Sequence, residues 1–175
     1  MEIDGALSLI RVIPNYPNPG IQFQDITPLL ANAQAFSCVI QSLASYSVES
    51  NVIAGIEARG FILASSVATM CQKGFIPIRK SGKLPFQTIS QTYGLEYGND
   101  TLELHVDAIS PSSKVLLIDD VLATGGTLAA AIELIQRLNG QVVQILALLE
   151  IESLAGRSFL NNRFPNIPIT SLMVS

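Results

Sequence analysis

Two adjacent carboxylates precede a turn of small and hydroxyl-bearing residues. Asp119 and Asp120 follow the unbroken apolar run 115–118, and residues 123–127 read Ala-Thr-Gly-Gly-Thr. Such an apolar run is typical of a fully buried strand. The apolar spacing after the turn predicts a helix that Thr127 caps and Gly140 closes. The sequence therefore predicts a strand, an acidic pair, a turn and a helix in direct succession.

The turn 123–127 offers the groups that a phosphate monoester needs. Backbone N–H groups at a helix N-terminus carry partial positive charge, and the hydroxyls of Thr124 and Thr127 add donors. Gly125 and Gly126 let the backbone approach an anion closely. The neighbouring carboxylates would repel a phosphate unless a diol or a hard cation lay between them, and a ribose with Mg²⁺ meets both needs. The turn matches neither the dinucleotide loop GxGxxG nor the ATP loop GxxxxGK[ST].

Two further segments carry four cationic side chains that could bind anionic groups. They are Arg59, in the turn Glu-Ala-Arg-Gly, and Arg79, Lys80 and Lys83. A guanidinium binds phosphate oxygens in a bidentate manner, although a lone cation or a charge run is also typical of a solvated surface. The periodicity lapses over residues 80–92, which predicts a mobile loop able to close as a lid.

Predicted strands and helices alternate through most of the chain. The strands are expected at 51–56, 75–78, 115–118, 142–149 and 167–174, with helices after Asn32, around 63–70 and after the turn 123–127. This alternation predicts an α/β fold, a single domain with a mainly parallel central sheet flanked by helices. Ligands of such sheets bind at the carboxyl ends of the strands. Residues 92–106 favour a hairpin, and the proline-rich first 30 residues favour an ordered loop with one short strand.

Composition excludes several classes of protein. With 175 residues, 49% of them apolar and 14% charged, the chain has the makings of one folded domain and not of a disordered segment. A net charge of −4 argues against nucleic acid as a partner, and no apolar run is long enough for a membrane span. Cys38 and Cys71 form neither a disulfide framework nor a zinc site, which suits a reducing compartment. We expect the single histidine, His105, to be structural.

The segment 118–127, IDDVLATGGT, resembles the phosphoribosyl pyrophosphate motif of the type I phosphoribosyltransferases. Four further segments narrow the resemblance to the adenine phosphoribosyltransferases, namely 13–28, 55–61, 79–85 and 93–98. The resemblance implies one domain over 1–175, with a small base-binding hood within 1–32 and a flexible catalytic loop at 80–92. It implies transfer of phosphoribosyl from phosphoribosyl pyrophosphate (PRPP) to adenine, giving AMP and pyrophosphate, by a Mg²⁺-dependent cytoplasmic homodimer without nucleic-acid or membrane partners.

The resemblance also implies a role for each polar residue of these motifs. Asp119 and Asp120 would bind the ribose hydroxyls, support positive charge on the ribose, and hold Mg²⁺ indirectly through ribose or water. The 5′-phosphate would lie on Ala123, Thr124, Gly125, Gly126 and Thr127. Pyrophosphate would contact Arg59, Arg79, Lys80 and Lys83, with Tyr93 on the same loop.

For the base, the resemblance implies contacts that need few charges. The backbone of Gln22 would pair with the edge of adenine, while Phe23 and Val121 would cover its two faces. Glu96 would handle a proton at N7 of the base. The chain departs from the family at Gln24, where an arginine or lysine is usual, and this puts the affinity for substrate or the closure of the loop in question.

Two alternatives stay open at this stage. One is a phosphoribosyltransferase for another nucleobase, against which Phe23 and Glu96 argue. The other is a regulator that senses PRPP without catalysis and binds nucleic acid, for which this length and net charge leave little room.

Overall fold

The chain divides into two compact units, Met1–Ser45 and Tyr46–Ser175, in the computed structural model, which describes residues 1–94 and 99–175. The N-terminal unit contains α1 (Ile3–Leu7), β1 (Arg11–Pro14), β2 (Gln22–Asp25), α2 (Thr27–Ala31) and α3 (Ala33–Ala44). The prediction of an ordered loop with one short strand over the first 30 residues is therefore wrong. The strands β1 and β2 pair only with each other, and α1 and α2 are too short to show a helical period.

Side-chain hydrogen bonds lie near the starts of two helices in the N-terminal unit, and one of them caps α3. The carbonyl oxygen of the Asn32 side chain accepts hydrogen bonds from the N–H groups of Gln34 and Ala35, at 3.1 and 3.0 Å, and confirms the predicted start of α3. Asp25 accepts from the N–H of Thr27 at 2.9 Å and pairs with Arg11 at 2.5 Å. Hydrogen bonds from Thr27, followed by the contact with Arg11, lower the pKa of Asp25 to about 2.

The second unit is built on a seven-stranded sheet. Its elements are β3 (Val52–Ile56), α4 (Arg59–Met70), β4 (Gly74–Lys80), β5 (Thr88–Gly94), β6 (Asn99–His105), β7 (Lys114–Leu122), α5 (Gly126–Arg137), β8 (Gln141–Glu150), α6 (Gly156–Arg163) and β9 (Ile169–Val174). The strand order is β5-β6-β4-β3-β7-β8-β9. The five strands from β4 to β9 in this order run parallel, and β6 and β5 run antiparallel to their neighbours. This sheet confirms the predicted fold class.

Helices cover both faces of the sheet because its central strands are apolar on both sides. The helix α5 packs on the face that carries Ala54, Ile56, Val115 and Leu117. The helix α4 packs on β3 and β7 from the other face, where a Cβ on Gly55 would lie only 2.6 Å from the Cβ of Ala64. No helix in the described part of the chain is long and apolar enough to cross a membrane.

Three predictions about this unit need correction. Residues 88–92 of the predicted loop belong to β5, because their backbone groups form hydrogen bonds with β6. The helix α5 begins at Gly126, so Thr127 lies within its first turn and does not cap it. At the other end of α5, Asn139 takes the left-handed position, with φ at 62°, one residue before Gly140.

Candidate active site

The carboxyl ends of three parallel strands bring the predicted polar residues of the second unit to one edge of the sheet. The strands β3, β4 and β7 are neighbours, and Ile56 pairs with Ile78 just before β3 gives way to the turn 57–58. The turn after β3, the end of β4 and the acidic pair on β7 therefore lie together. This is the edge where open α/β sheets bind ligands.

The acidic pair lies inside β7 and is buried. Asp119 and Asp120 are 8% and 7% exposed, and Oδ1 of Asp119 accepts a hydrogen bond from the N–H of Asp120 at 2.9 Å. Burial, followed by the charge of Asp120, raises the pKa of Asp119 well above its ordinary value of 3.8. Burial also raises the pKa of Asp120, against the opposing effect of Arg59. Two buried carboxylates in contact need donors or a cation, and a ribose diol supplies donors.

Arg59 reaches the acidic pair from the first residue of α4. Its Nη2 lies 2.7 Å from Oδ2 of Asp120. The next residue must be small, because a Cβ on Gly60 would lie 2.9 Å from Oδ1 of Asp119. The start of α4 thus packs tightly on the end of β7 and places a guanidinium beside the acids.

The turn 123–125 leads from β7 into α5 and encloses a small space. Gly125, at φ +85°, stands immediately before the helix, and its carbonyl accepts from the N–H of Ala129 at 2.9 Å. A cavity of about 40 Å³ is lined by Val121, Ala123, Thr124, Gly125, Thr127 and Leu128. Backbone amides at a helix start, with the helix dipole behind them, are suited to binding an anion.

Glu57 organises two of the cations predicted to bind pyrophosphate. Its carboxylate accepts from Nε of Arg79 at 3.2 Å and from the N–H of Lys80 at 3.0 Å, and lies 3.4 Å from Nζ of Lys83. Burial would raise the pKa of Glu57, but these donors outweigh it and hold the pKa below 4.5. Nη1 of Arg79 also donates to the carbonyl of Lys83 at 3.0 Å.

The third cation of this segment is held by the hairpin β5–β6. Nζ of Lys80 lies 2.9 Å from Oδ2 of Asp100, and this contact raises the pKa of Lys80 and lowers that of Asp100. The hydroxyl of Tyr93 donates to the same carboxylate at 3.3 Å and also hydrogen bonds to Thr127. Burial raises the pKa of Tyr93. A chain of contacts therefore runs from the end of β4 through the hairpin to the start of α5.

Two residues predicted to bind the base belong to the N-terminal unit. Gln22 and Phe23 lie on β2 of the N-terminal unit, where Phe23 packs edge-to-face on Tyr16 with ring centres 5.2 Å apart. Val121 lies on β7 beside the cavity at the turn. Glu96 lies outside the described residues. The roles of these four residues, like those of the other predicted site residues, stay predictions.

Several residues around the site were not predicted from the sequence. Glu57 lies within the motif 55–61 and Asp100 within the predicted hairpin 92–106. Neither pattern shows which distant charge each residue pairs with. Gly156 and Arg157 were missed altogether, because α6 buries only Gly156 and Leu160 and so shows no apolar period.

Comparisons with known proteins agree with this geometry. Residues 28–160 match the model of the phosphoribosyl transferase domain family. An adenine phosphoribosyltransferase of Brevibacillus brevis is 49% identical over 166 residues, which cover 94% of this chain and 95% of that protein.

Solved structures give the same result. An adenine phosphoribosyltransferase from Thermoanaerobacter pseudethanolicus has a TM-score of 0.93 and 42% identity over 99% of both chains. One from Giardia lamblia, complexed with 9-deazaadenine, has a TM-score of 0.92 and 37% identity over 100% of this chain and 98% of that one. These matches confirm the fold and the enzyme class predicted from the motifs. The chain therefore belongs to the phosphoribosyltransferase family, and within it to the adenine phosphoribosyltransferases.

Proposed function

We propose that this chain transfers the phosphoribosyl group of PRPP to adenine, forming AMP and releasing pyrophosphate. The observation that carries the proposal is the buried pair Asp119 and Asp120 directly before a turn of bare backbone and hydroxyl groups at the start of α5. This arrangement suits a sugar with a phosphate at one end and a free diol at the other.

In this reaction the C1–O bond to pyrophosphate breaks with its electron pair on oxygen, and N9 of adenine forms the new bond to C1. Positive charge develops on the ribose ring between these events. The carboxylates of Asp119 and Asp120 stabilise that charge where burial makes electrostatic effects strong. We assign the N7 proton of adenine to Glu96, which takes it as the bond to N9 forms.

The turn holds the 5′-phosphate in this proposal. The backbone from Ala123 to Thr127, with the hydroxyls of Thr124 and Thr127, surrounds the phosphate at the positive end of α5. Tyr93 contacts Thr127 and so connects this turn to the hairpin β5–β6. The phosphate anchors the sugar while its other end reacts.

The pyrophosphate side uses Arg59, Arg79, Lys80 and Lys83. In the structure these four side chains contact Asp120, Glu57 and Asp100. We propose that the phosphate oxygens take over these contacts when PRPP binds. Closure of the loop 81–87 then sheds water from the reacting groups.

The acidic pair also fits Mg²⁺ that is held mainly by the substrate. Within residues 1–94 and 99–175, no group of three or more His, Cys, Asp or Glu side chains could hold a metal alone. Mg²⁺ commonly binds through one or two carboxylates together with substrate phosphates and waters. Asp119 and Asp120 would hold it through the ribose hydroxyls or water, and the bound ion would offset charge on the leaving pyrophosphate.

The base would bind between Phe23 and Val121, with the backbone of Gln22 reading its edge. Phe23 is half-buried and Gln22 is exposed, and their strand β2 pairs with β1 only. The ring of Phe23 and the backbone of Gln22 are therefore accessible within the N-terminal unit. Gln24 follows them without the usual positive charge. We therefore assign recognition of adenine to the ring and the backbone, and not to a cation.

We also propose a homodimer in the cytoplasm. Only 14% of the residues are charged, and Ile62 and Met70 leave 39% and 47% of their surface exposed along one side of α4. Cys38 and Cys71 form no disulfide, as is usual in a reducing compartment. Light scattering should give twice the mass of one 18.7 kDa chain, and a monomer mass would contradict the dimer.

Formation of AMP tests the proposed function. The purified protein is incubated with PRPP and adenine, with Mg²⁺ or with a chelator, and guanine, hypoxanthine and orotate are supplied in parallel. We expect AMP from adenine only, a requirement for Mg²⁺, and a loss of at least about 100-fold in Asp120→Asn. An inactive wild-type protein that still binds PRPP would instead support the regulator.

A further inference from the structure

The start of α6 lies directly against the turn that is proposed to hold the 5′-phosphate. A Cβ on Gly156 would lie 2.1 Å from the carbonyl oxygen of Ala123 and 2.9 Å from the backbone nitrogen of Gly125. In the opposite direction, a Cβ on Gly125 would lie 2.9 Å from the carbonyl oxygen of Gly156 and 3.0 Å from the ring of Phe159. Turn and helix are therefore in backbone contact, with no room for a side chain between them.

An ion pair holds the start of α6 in this place. Nε of Arg157 lies 2.9 and 3.1 Å from the two carboxylate oxygens of Glu150, and Nη2 donates to the same carboxylate. The guanidinium also donates to the carbonyl of Ile169 at 2.8 Å and to the hydroxyl of Ser171 at 3.1 Å. Ser171 in turn donates to Glu150 at 2.8 Å. The last residue of β8, the first turn of α6 and β9 are thus tied together by one guanidinium.

The acidic member of the ion pair is buried and close to the turn, whereas Arg157 is partly exposed. Glu150 is 4% exposed and pairs across the sheet with Leu122, the residue directly before Ala123. The hydrogen bond to Arg157, followed by that to Ser171, outweighs burial and keeps the pKa of Glu150 below 4.5. The pair therefore stays charged at neutral pH, and its bidentate geometry fixes orientation as well as distance.

We infer that Gly156 and the Glu150–Arg157 pair are positioning residues for the 5′-phosphate site. The pair fixes the first turn of α6, and the bare backbone at Gly156 supports the turn 123–125, so that the turn presents its N–H groups in one conformation. The turn consists of small residues and cannot pack itself. This inference rests on the proposed function, because it takes the turn as the phosphate site.

The variant Gly156→Ala tests the contact directly. Its methyl group must displace either the turn or α6, and displacements of about 1 Å can cost up to about 100-fold in a positioned reaction. We expect the Kd of ribose 5-phosphate and the KM of PRPP to rise at least about tenfold. The Kd of pyrophosphate alone should stay within about twofold, because pyrophosphate does not use the turn. Ser158→Ala, on the exposed side of the same helix, is the matched control.

The variants Arg157→Lys and Glu150→Gln test the ion pair, and they decide the question if Gly156→Ala does not fold. Lysine retains the charge but not the fork of donors, so we expect weaker ribose 5-phosphate binding with unchanged pyrophosphate binding. Equal losses for both probes, or a lower Tm with both Kd values unchanged, would overturn the inference. A wild-type protein that binds no ribose 5-phosphate and forms no AMP would instead refute the proposed function.

Discussion

Asp119 and Asp120 show at the level of single residues how burial serves this site and opposes stability. The pKa of each is raised in the folded protein, chiefly by burial. An acid with a raised folded-state pKa makes folding less favourable as pH rises above its unfolded value of about 3.8, until the pH passes the folded value. Burial of the acidic pair is therefore a cost to stability above about pH 3.8, which donors from a ribose diol would relieve.

Replacement of Asp119 by asparagine should separate activity from stability. The amide oxygen of Asp119→Asn can still accept from the N–H of Asp120, but the repulsion between the two charges is gone. We expect kcat/KM for PRPP to fall at least about 100-fold, while Tm at pH 7 is unchanged or higher. Activity assays and thermal denaturation measure the two effects.

The control for this variant is Asp107→Asn, which changes an exposed acid away from the site. It should alter neither quantity. A lower Tm together with full activity in Asp119→Asn would show that the carboxylate is structural.

Nζ of Lys80 lies 2.9 Å from Oδ2 of Asp100, so under the proposed function Asp100 would compete with pyrophosphate for Lys80. Asp100→Asn removes the competing charge. We expect the inhibition constant of pyrophosphate to fall about two- to fivefold, as befits a partly exposed ion pair. Product inhibition of AMP formation measures it. In a Lys80→Ala background the same change should have no effect, and a persistent effect would mean that Asp100 acts through another group.

Among the elements around the proposed phosphate site, some could be predicted from the sequence and one could not. The strand β7 and helix α5 were predicted, because one is an unbroken apolar run and the other has a clear helical period. The helix α6 was not, because most of its residues are polar and its contact with the turn is made by a glycine backbone. The role of Gly156 depends on the absence of a side chain, which no pattern of side chains reveals.

The ends of elements were predicted less well than their centres. Thr127 is expected to cap α5, but the capping position is occupied by Gly125 and the helix begins at Gly126. Residues 88–92 are predicted as loop because they are mostly polar and because the pairing of β5 with β6 lies outside any local pattern. Local periodicity records burial within one element, whereas boundaries depend on partners distant in the chain.

The junction of β8, α6 and β9 should lose stability in acid. The pKa of Glu150 is lower than its ordinary 4.5, so its ion pair contributes fully above about pH 4.5 and less as pH falls through the folded-state value. We expect Glu150→Gln to lower the free energy of unfolding by about 1–3 kcal/mol at pH 7. Urea unfolding at several pH values measures the difference.

The difference between Glu150→Gln and wild type should shrink as pH falls below about 4. Glu152→Gln, an exposed neighbour, is the control and should track the wild type at every pH. A difference that is constant with pH would assign the loss to packing and not to the charge of Glu150.

For the whole molecule, binding of PRPP should appear as thermal stability. A ligand at 100 times its Kd stabilises the folded state by about 2.7 kcal/mol. For a chain of this length that corresponds to an increase in Tm of about 5–10 °C. We expect this shift with PRPP and Mg²⁺ by scanning fluorimetry, and a smaller one with PRPP and a chelator. Equal shifts under both conditions would remove Mg²⁺ from the binding step.

The ion pairs at the carboxyl edge also bear on which anions the free protein attracts. Arg59, Arg79, Lys80 and Lys83 each contact a carboxylate of their own chain. A small anion such as chloride or orthophosphate must displace one carboxylate for every cation that it reaches. A molecule that joins several anionic groups to a sugar makes all its contacts after a single encounter. We therefore expect the abundant simple anions of a cell to compete poorly with such a molecule for these cations. The number of linked anionic groups then determines which molecule binds.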